Sequence, residues 1–178
     1  MKRFTLSLFV LSLFLFSCDK IEEANTIDFD TSLSMDIPVA VVAPTAKAQK
    51  STEAEYEFVQ SKTARLSDIS EINAYLDKIK SIDLNNIVVN FTNLQAGQEI
   101  KSIEISVIGV GVLASFQSVT QINATHTPTI DQAKLTQVAT ILNSTKELNV
   151  KVEGVTNEAP MDFTVNMDFD VHIEAEVL

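Results

Sequence analysis

From Ile27 to Val41, apolar and polar positions alternate almost without a break. Ile27, Phe29, Leu33, Met35, Ile37, Val39 and Val41 share one face, and Asp28, Asp30, Ser32, Ser34 and Asp36 share the other. A period of two over that length predicts a half-buried β-strand. Pro38 points away from the apolar face and brings no N–H donor, so this strand lies at a sheet edge or is broken there. The end of the chain mirrors its beginning. Met161, Phe163, Val165, Met167, Phe169, Val171, Ile173, Ala175 and Val177 lie on one face, against Asp162, Thr164, Asn166, Asp168, Asp170, His172, Glu174 and Glu176. Strands usually run about three to ten residues, so one this long is expected to bend, bulge or serve two sheets.

Shorter elements fill the middle. Ala43 to Thr52 is small and polar, hence a loop, and Ala54, Tyr56 and Phe58 alternate in a second strand. Ile87, Val89 and Phe91 mark a third, closed by a turn at Asn93–Gly97. Ile100 to Val112 is apolar on both sides, with Ile103, Ile105 and Val107 opposite Ile108, Val110 and Val112. That predicts one central strand covered on both faces, with a bulge or tight contact at Gly109 and Gly111. Phe116 to Ala124 is a weaker strand, and Leu148, Val150 and Val152 form another, ending at Gly154. Two segments read as helices. Asp68-Ile69-Ser70-Glu71 has capping-box spacing ahead of a stripe of Ile69, Ile72, Leu76 and Ile79. Thr129-Ile130-Asp131-Gln132 repeats that spacing before Leu135, Val138, Ile141 and Leu142. About seven alternating strands with two short crossover helices predict an all-β fold, an antiparallel two-sheet β-sandwich. It is immunoglobulin-like in general form only, without the Cys and Trp hallmarks of antibody domains.

Charge narrows the class of partner. The 178 residues carry 13 Lys and Arg against 24 Asp and Glu, a net charge of −11. Such a chain offers no basic footprint for nucleic acid. A single Cys excludes an internal disulfide framework and any multi-Cys metal site.

That Cys stands at an informative place. Lys2 and Arg3 precede an apolar run from Phe4 to Phe16, interrupted by Thr5, Ser7 and Ser12. Its 13 residues would span only about 20 Å as a helix, short of the ~30 Å of a bilayer core. It fits the h-region of a secretory signal. The run ends in Leu15-Phe16-Ser17-Cys18, which resembles the lipobox of bacterial lipoproteins, with a bulkier residue than usual at Phe16. The resemblance implies cleavage before Cys18 and lipidation of its thiol with a diacylglyceryl group, the freed amine being open to a third acyl chain. Two or three chains, at about 0.8 kcal/mol per buried methylene, would hold the protein to a membrane essentially permanently. Cys18-Asp19-Lys20-Ile21-Glu22-Glu23 is similar to the surface-export signal of lipoproteins from the Bacteroidota, although Ile21 separates the Lys from the acids. Under the enterobacterial sorting rule, Asp19 would instead imply retention in the inner membrane. The expected organisation is a signal peptide over 1–17, a lipidated Cys and tether over 18–25, and one sandwich domain over 26–178. Loss of Lys2 and Arg3 leaves 11 basic against 24 acidic residues, so the mature chain stands at −13.

Candidate chemistry is sparse. The acids on the alternate faces of the two terminal strands are the most unusual feature, and if those strands pair, like charges oppose at a few tenths to about 1 kcal/mol each. A calcium ion would relieve this, with Asp28, Asp30, Asp168 and Asp170 as candidate ligands, yet no calcium-loop motif is present. A solvated acidic face that keeps the sheet soluble is the plainer expectation. His126 and His172 read as surface histidines, since no nucleophile elbow or zinc-protease motif accompanies them. Without Trp, a stacking platform for sugars is missing. The expected function is a lipid-anchored, non-enzymatic envelope module, structural, adhesive or accessory, at the bacterial outer membrane on its periplasmic or cell-surface side. It needs no cofactor, and its partners are the membrane and a protein of the envelope. The alternatives are a small-ligand or calcium-binding lipoprotein, using the acidic face or a cleft between the sheets, and a carboxylate-dependent hydrolase.

Overall fold

The computed structural model describes residues 25–43, 55–120 and 124–177. The segment 1–24, with Cys18 and most of the tether, lies outside these, as does most of the loop expected over 43–52. Among the described residues the alternating runs become eight strands: β1 (Thr26–Val41), β2 (Tyr56–Arg65), β3 (Ile79–Thr92), β4 (Ile100–Val107), β5 (Gly111–Val119), β6 (Thr125–His126), β7 (Glu147–Thr156) and β8 (Met161–Glu176). Among the described residues one α-helix, α1 (Gln132–Thr145), lies between β6 and β7. Every ladder is antiparallel, and the strands form two four-stranded sheets ordered β1-β8-β3-β6 and β2-β7-β4-β5. The chain changes sheet at nearly every connection. Strands adjacent in sequence therefore mostly sit in different sheets, with the β4–β5 hairpin as the exception.

Alternation explains the core. Leu33, Met35, Ile37, Val39 and Val41 on β1 turn inward, as does every second residue of β8 from Met161 to Ala175. They meet Ile103, Ile105, Val107, Leu148, Val150 and Val152 of the second sheet, all buried. Phe58 of β2 meets Phe163 of β8 edge-on, with ring centroids 5.3 Å apart. β1 is the edge of its sheet, the place that Pro38 requires.

Four expectations are corrected. β8 does not serve two sheets. It runs between β1 and β3 in one sheet, and the irregularity falls on its neighbour, where the register shifts between Ile79 and Ser81 and between Leu84 and Asn86. The second shift inserts Asn85 and switches the inward phase from Ile82 and Leu84 to Ile87, Val89 and Phe91. The apolar run Ile100–Val112 is not one strand but the β4–β5 hairpin, turning at Gly109 and Gly111 with φ of 93° and 98°. Ile108 and Val112 therefore face solvent at the turn. The segment 66–78 is not an α-helix but two 3₁₀ turns, Leu66–Asp68 and Asn73–Lys78. The Asp68 side chain accepts from Arg65 N at 3.2 Å, closing the end of β2 instead of opening a helix. Leu66 and Ile72 are driven into the core one turn at a time. Finally, α1 begins two residues later than the Thr129 spacing implies. Asp131 is its cap, with its carboxylate accepting from Ala133 N at 2.7 Å.

α1 has a positional role. β6 pairs with β3 at only two positions, Val89 and Asn90, which leaves most of that edge of β3 open. The helix packs against β3 there, burying Leu135, Val138, Ala139 and Leu142. Asn143 Nδ2 donates to the Lys80 carbonyl of β3 at 3.5 Å. A helix laid along a strand edge shields it from pairing with other chains.

Candidate functional site

The polar face of the first sheet is its outer face, and register decides what its side chains meet. Across β1 and β8, Asp28 opposes Glu174, Asp30 opposes His172, Ser32 opposes Asp170, Ser34 opposes Asp168, and Asp36 opposes Asn166. Only the first is a pair of acids. Ser34 Oγ donates to Asp168 at 2.6 Å, Asn166 Nδ2 to Asp36 at 2.6 Å, and Ser81 Oγ of β3 to Glu174 at 3.3 Å. The like-charge cost expected of paired acidic strands is largely removed by one-residue interleaving of acids with hydroxyls, amides and an imidazole.

His172 is the focus of this face. It opposes Asp30 on β1 and Asp83 on β3, so one row across three strands reads Asp–His–Asp. His172 Nδ1 stands 2.8 Å from Asp30 Oδ1, and since a carboxylate only accepts, the proton of that bond sits on the ring. The hydrogen bond to Asp30 is the largest cause lifting the imidazole pKa above its ordinary value. Partial burial opposes it, and the fields of Asp30, Asp28 and Asp83 add to it.

The row forms one wall of a cleft of about 390 Å³. Asp30, His172 and Asp83 come from the sheet, Asn85 from the β3 bulge, and Gln132 and Thr136 from the first turns of α1. The bulge aims Asn85 into the cleft, a use to which bulges are commonly put beside functional sites. Thr136 Oγ1 donates to the Gln132 carbonyl at 2.9 Å, which leaves its lone pairs free to accept. Of the two places considered for a ligand, the acidic face carries this cleft, and the space between the sheets is filled by side chains.

The four calcium candidates do not converge. Asp30 is bonded to His172 and Asp168 to Ser34, four positions further along β1 and so about 13 Å away. Among the described residues no group of three His, Cys, Asp or Glu side chains could hold a metal ion. The carboxylates of Asp30 and Asp83 flank the His172 strand, and Asp30 is hydrogen-bonded to that ring through one oxygen. His126 is not a simple surface residue. Its ring packs against Phe91 and Phe116, with centroids 5.5 and 5.2 Å away. Cys18 lies outside the described residues, and no helix among those described is long and apolar enough to cross a membrane.

The sequence pattern pointed to the acidic faces but missed Asp83, Asn85, Gln132 and Thr136. The alternation of Ser81 and Asp83 with Ile82 and Leu84 was available as a signal, and the phase break at Asn85-Asn86 concealed it. Compared with protein-family models and with curated proteins, the chain matches none.

Proposed function

We propose that this protein is a lipid-anchored, non-enzymatic module of the bacterial cell envelope, held to the outer membrane through Cys18. The observation that carries this reading is the sequence of the first eighteen residues: a basic start, a 13-residue apolar run and Leu15-Phe16-Ser17-Cys18 around the only Cys. Seven residues separate Cys18 from the first strand at Thr26. Even fully extended, they reach about 25 Å, which would keep the sandwich close to the bilayer surface. A net charge of −13 after processing, much of it on one outer face, would turn that face away from an anionic membrane and toward an envelope partner.

The test is partition between detergent and water, together with incorporation of labelled palmitate. Wild type is expected in the detergent phase with label. Cys18→Ala is expected in the aqueous phase without it. Wild type that stays aqueous and unlabelled would end the lipoprotein reading. A second reading, a small-ligand-binding lipoprotein, is favoured by the polar cleft at His172.

A further inference from the structure

We propose that the cleft between the outer face of the first sheet and α1 binds a small hydroxylated primary amine. Its ammonium would lie against Asp83 and Asp30 beside His172, and its hydroxyls against Asn85, Gln132 and Thr136. The inference rests on the small-ligand reading and adds the class of ligand.

The composition of the wall selects that class. With His172 protonated, the Asp30–His172–Asp83 row holds two carboxylates and one cation, so it retains one net negative charge. An anion would meet two carboxylates. An apolar ligand would desolvate two amides and a hydroxyl without satisfying them. A bare metal ion needs more ligands than the described residues bring together here. An organic ammonium can give one or two of its three donors to these carboxylates and the rest to water, which reaches the exposed lining. The remaining polar groups then call for hydroxyls on the same molecule. Asn85 and Gln132 each offer a donor and an acceptor, and Thr136 accepts because its own proton is given to the helix backbone. About 390 Å³ lies at the small end of ligand sites, the scale of a monosaccharide or an amino acid. The walls also come from parts of the fold that hold their places: three hydrogen-bonded strands and the capped first turn of α1.

The probe is glucosamine, with N-acetylglucosamine as its uncharged counterpart, added to the full-length protein in nonionic detergent. The His172 ring and the Asn85 and Gln132 side-chain amides are followed by NMR. Glucosamine at millimolar concentration is expected to shift all three, and N-acetylglucosamine to bind at least ten-fold more weakly. Asp83→Asn is expected to weaken glucosamine binding at least ten-fold with an unchanged melting temperature, since Asp83 is exposed. Asp168→Asn removes the same formal charge from the same face outside the cleft and is expected to leave binding unchanged. Equal weakening by the two substitutions would mean diffuse attraction to the acidic face and would overturn the proposal. Equal or tighter binding of N-acetylglucosamine would overturn the amine class while leaving a small-ligand cleft. No shift with either sugar would remove both.

Discussion

The outer faces of the two sheets carry similar alternation and neutralise their charges in opposite ways. On the second sheet, Arg65 meets Glu147 at 2.8 Å, Lys101 meets Glu55 at 3.3 Å and Lys151 meets Glu153 at 2.8 Å. The facing acids Glu104 and Glu153 are accompanied by a lysine on the same strand. On the first sheet, acids are met mainly by Ser34, Asn166, Ser81 and His172, and Lys80 with Glu176 is the one lysine pair among the described residues. The inner faces differ little. The lesson is that a half-buried sheet leaves its outer face free to be specialised, because folding is driven from the other side. The second sheet is balanced, and the first keeps a negative field and a cleft.

If the sheets differ only outside, breaking either from inside should hurt alike. Phe169→Ala in β8 and Ile103→Ala in β4 both empty fully buried sites. Each is expected to cost about 2–5 kcal/mol, read as comparable losses in denaturant midpoint. A loss in one sheet alone would show that the sheets fold as separate units. The next effect is specific to the second sheet. At Gly154 a β-carbon would run into the Ser102 carbonyl and the Phe58 ring, where β7, β4 and β2 meet. Gly154→Ala is expected to cost about 1–3 kcal/mol in thermal unfolding, since the obstacle is partly backbone.

Smaller effects probe the outer faces directly. Asp28→Lys turns the one acid–acid opposition across β1 and β8 into an opposite-charge pair with Glu174. It is expected to stabilise by roughly 0.2–1 kcal/mol at low ionic strength, with the gain fading in salt. No gain at low salt would mean that solvent already screens this pair. The smallest effect is the pH dependence of His172. Its folded pKa lies above the unfolded one, so its stabilising contribution is fully present below the unfolded value. The contribution is lost as pH rises through the folded value. The facing groups are Asp28 and Asp30 on β1, Asp83 on β3, and Asp170 and Glu174 along β8 itself. Asp30→Asn is expected to lower the imidazole pKa in an NMR titration and flatten the stability profile near neutral pH. An unchanged titration would show that the hydrogen bond is not its main support.

Much of the fold was legible because alternation is a local property. The faces of β1 and β8 follow from period two alone, and the place of Pro38 follows from its missing donor. Legibility failed wherever phase broke. A single inserted residue at Asn85 hid the first half of β3, and two glycines with positive φ turned an apparent central strand into a hairpin. The stripe at Ile69, Ile72 and Leu76 satisfies a helical period, yet the chain there closes the end of β2 in 3₁₀ turns.

What the sequence by itself determined was therefore which residues of the unbroken runs in β1 and β8 turn inward, how strongly acidic the chain is, and the motif around Cys18. All of these are written in neighbouring positions. Only the tertiary structure decided which acids meet which partners, because register joins residues more than a hundred positions apart, as in the Asp30–His172 bond. It also decided that α1 covers the edge β6 leaves free, placing Gln132 and Thr136 over the Asp–His–Asp row. A site assembled from three strands and a helix has no period of its own, so local pattern carries its ingredients and the folded register carries their meeting.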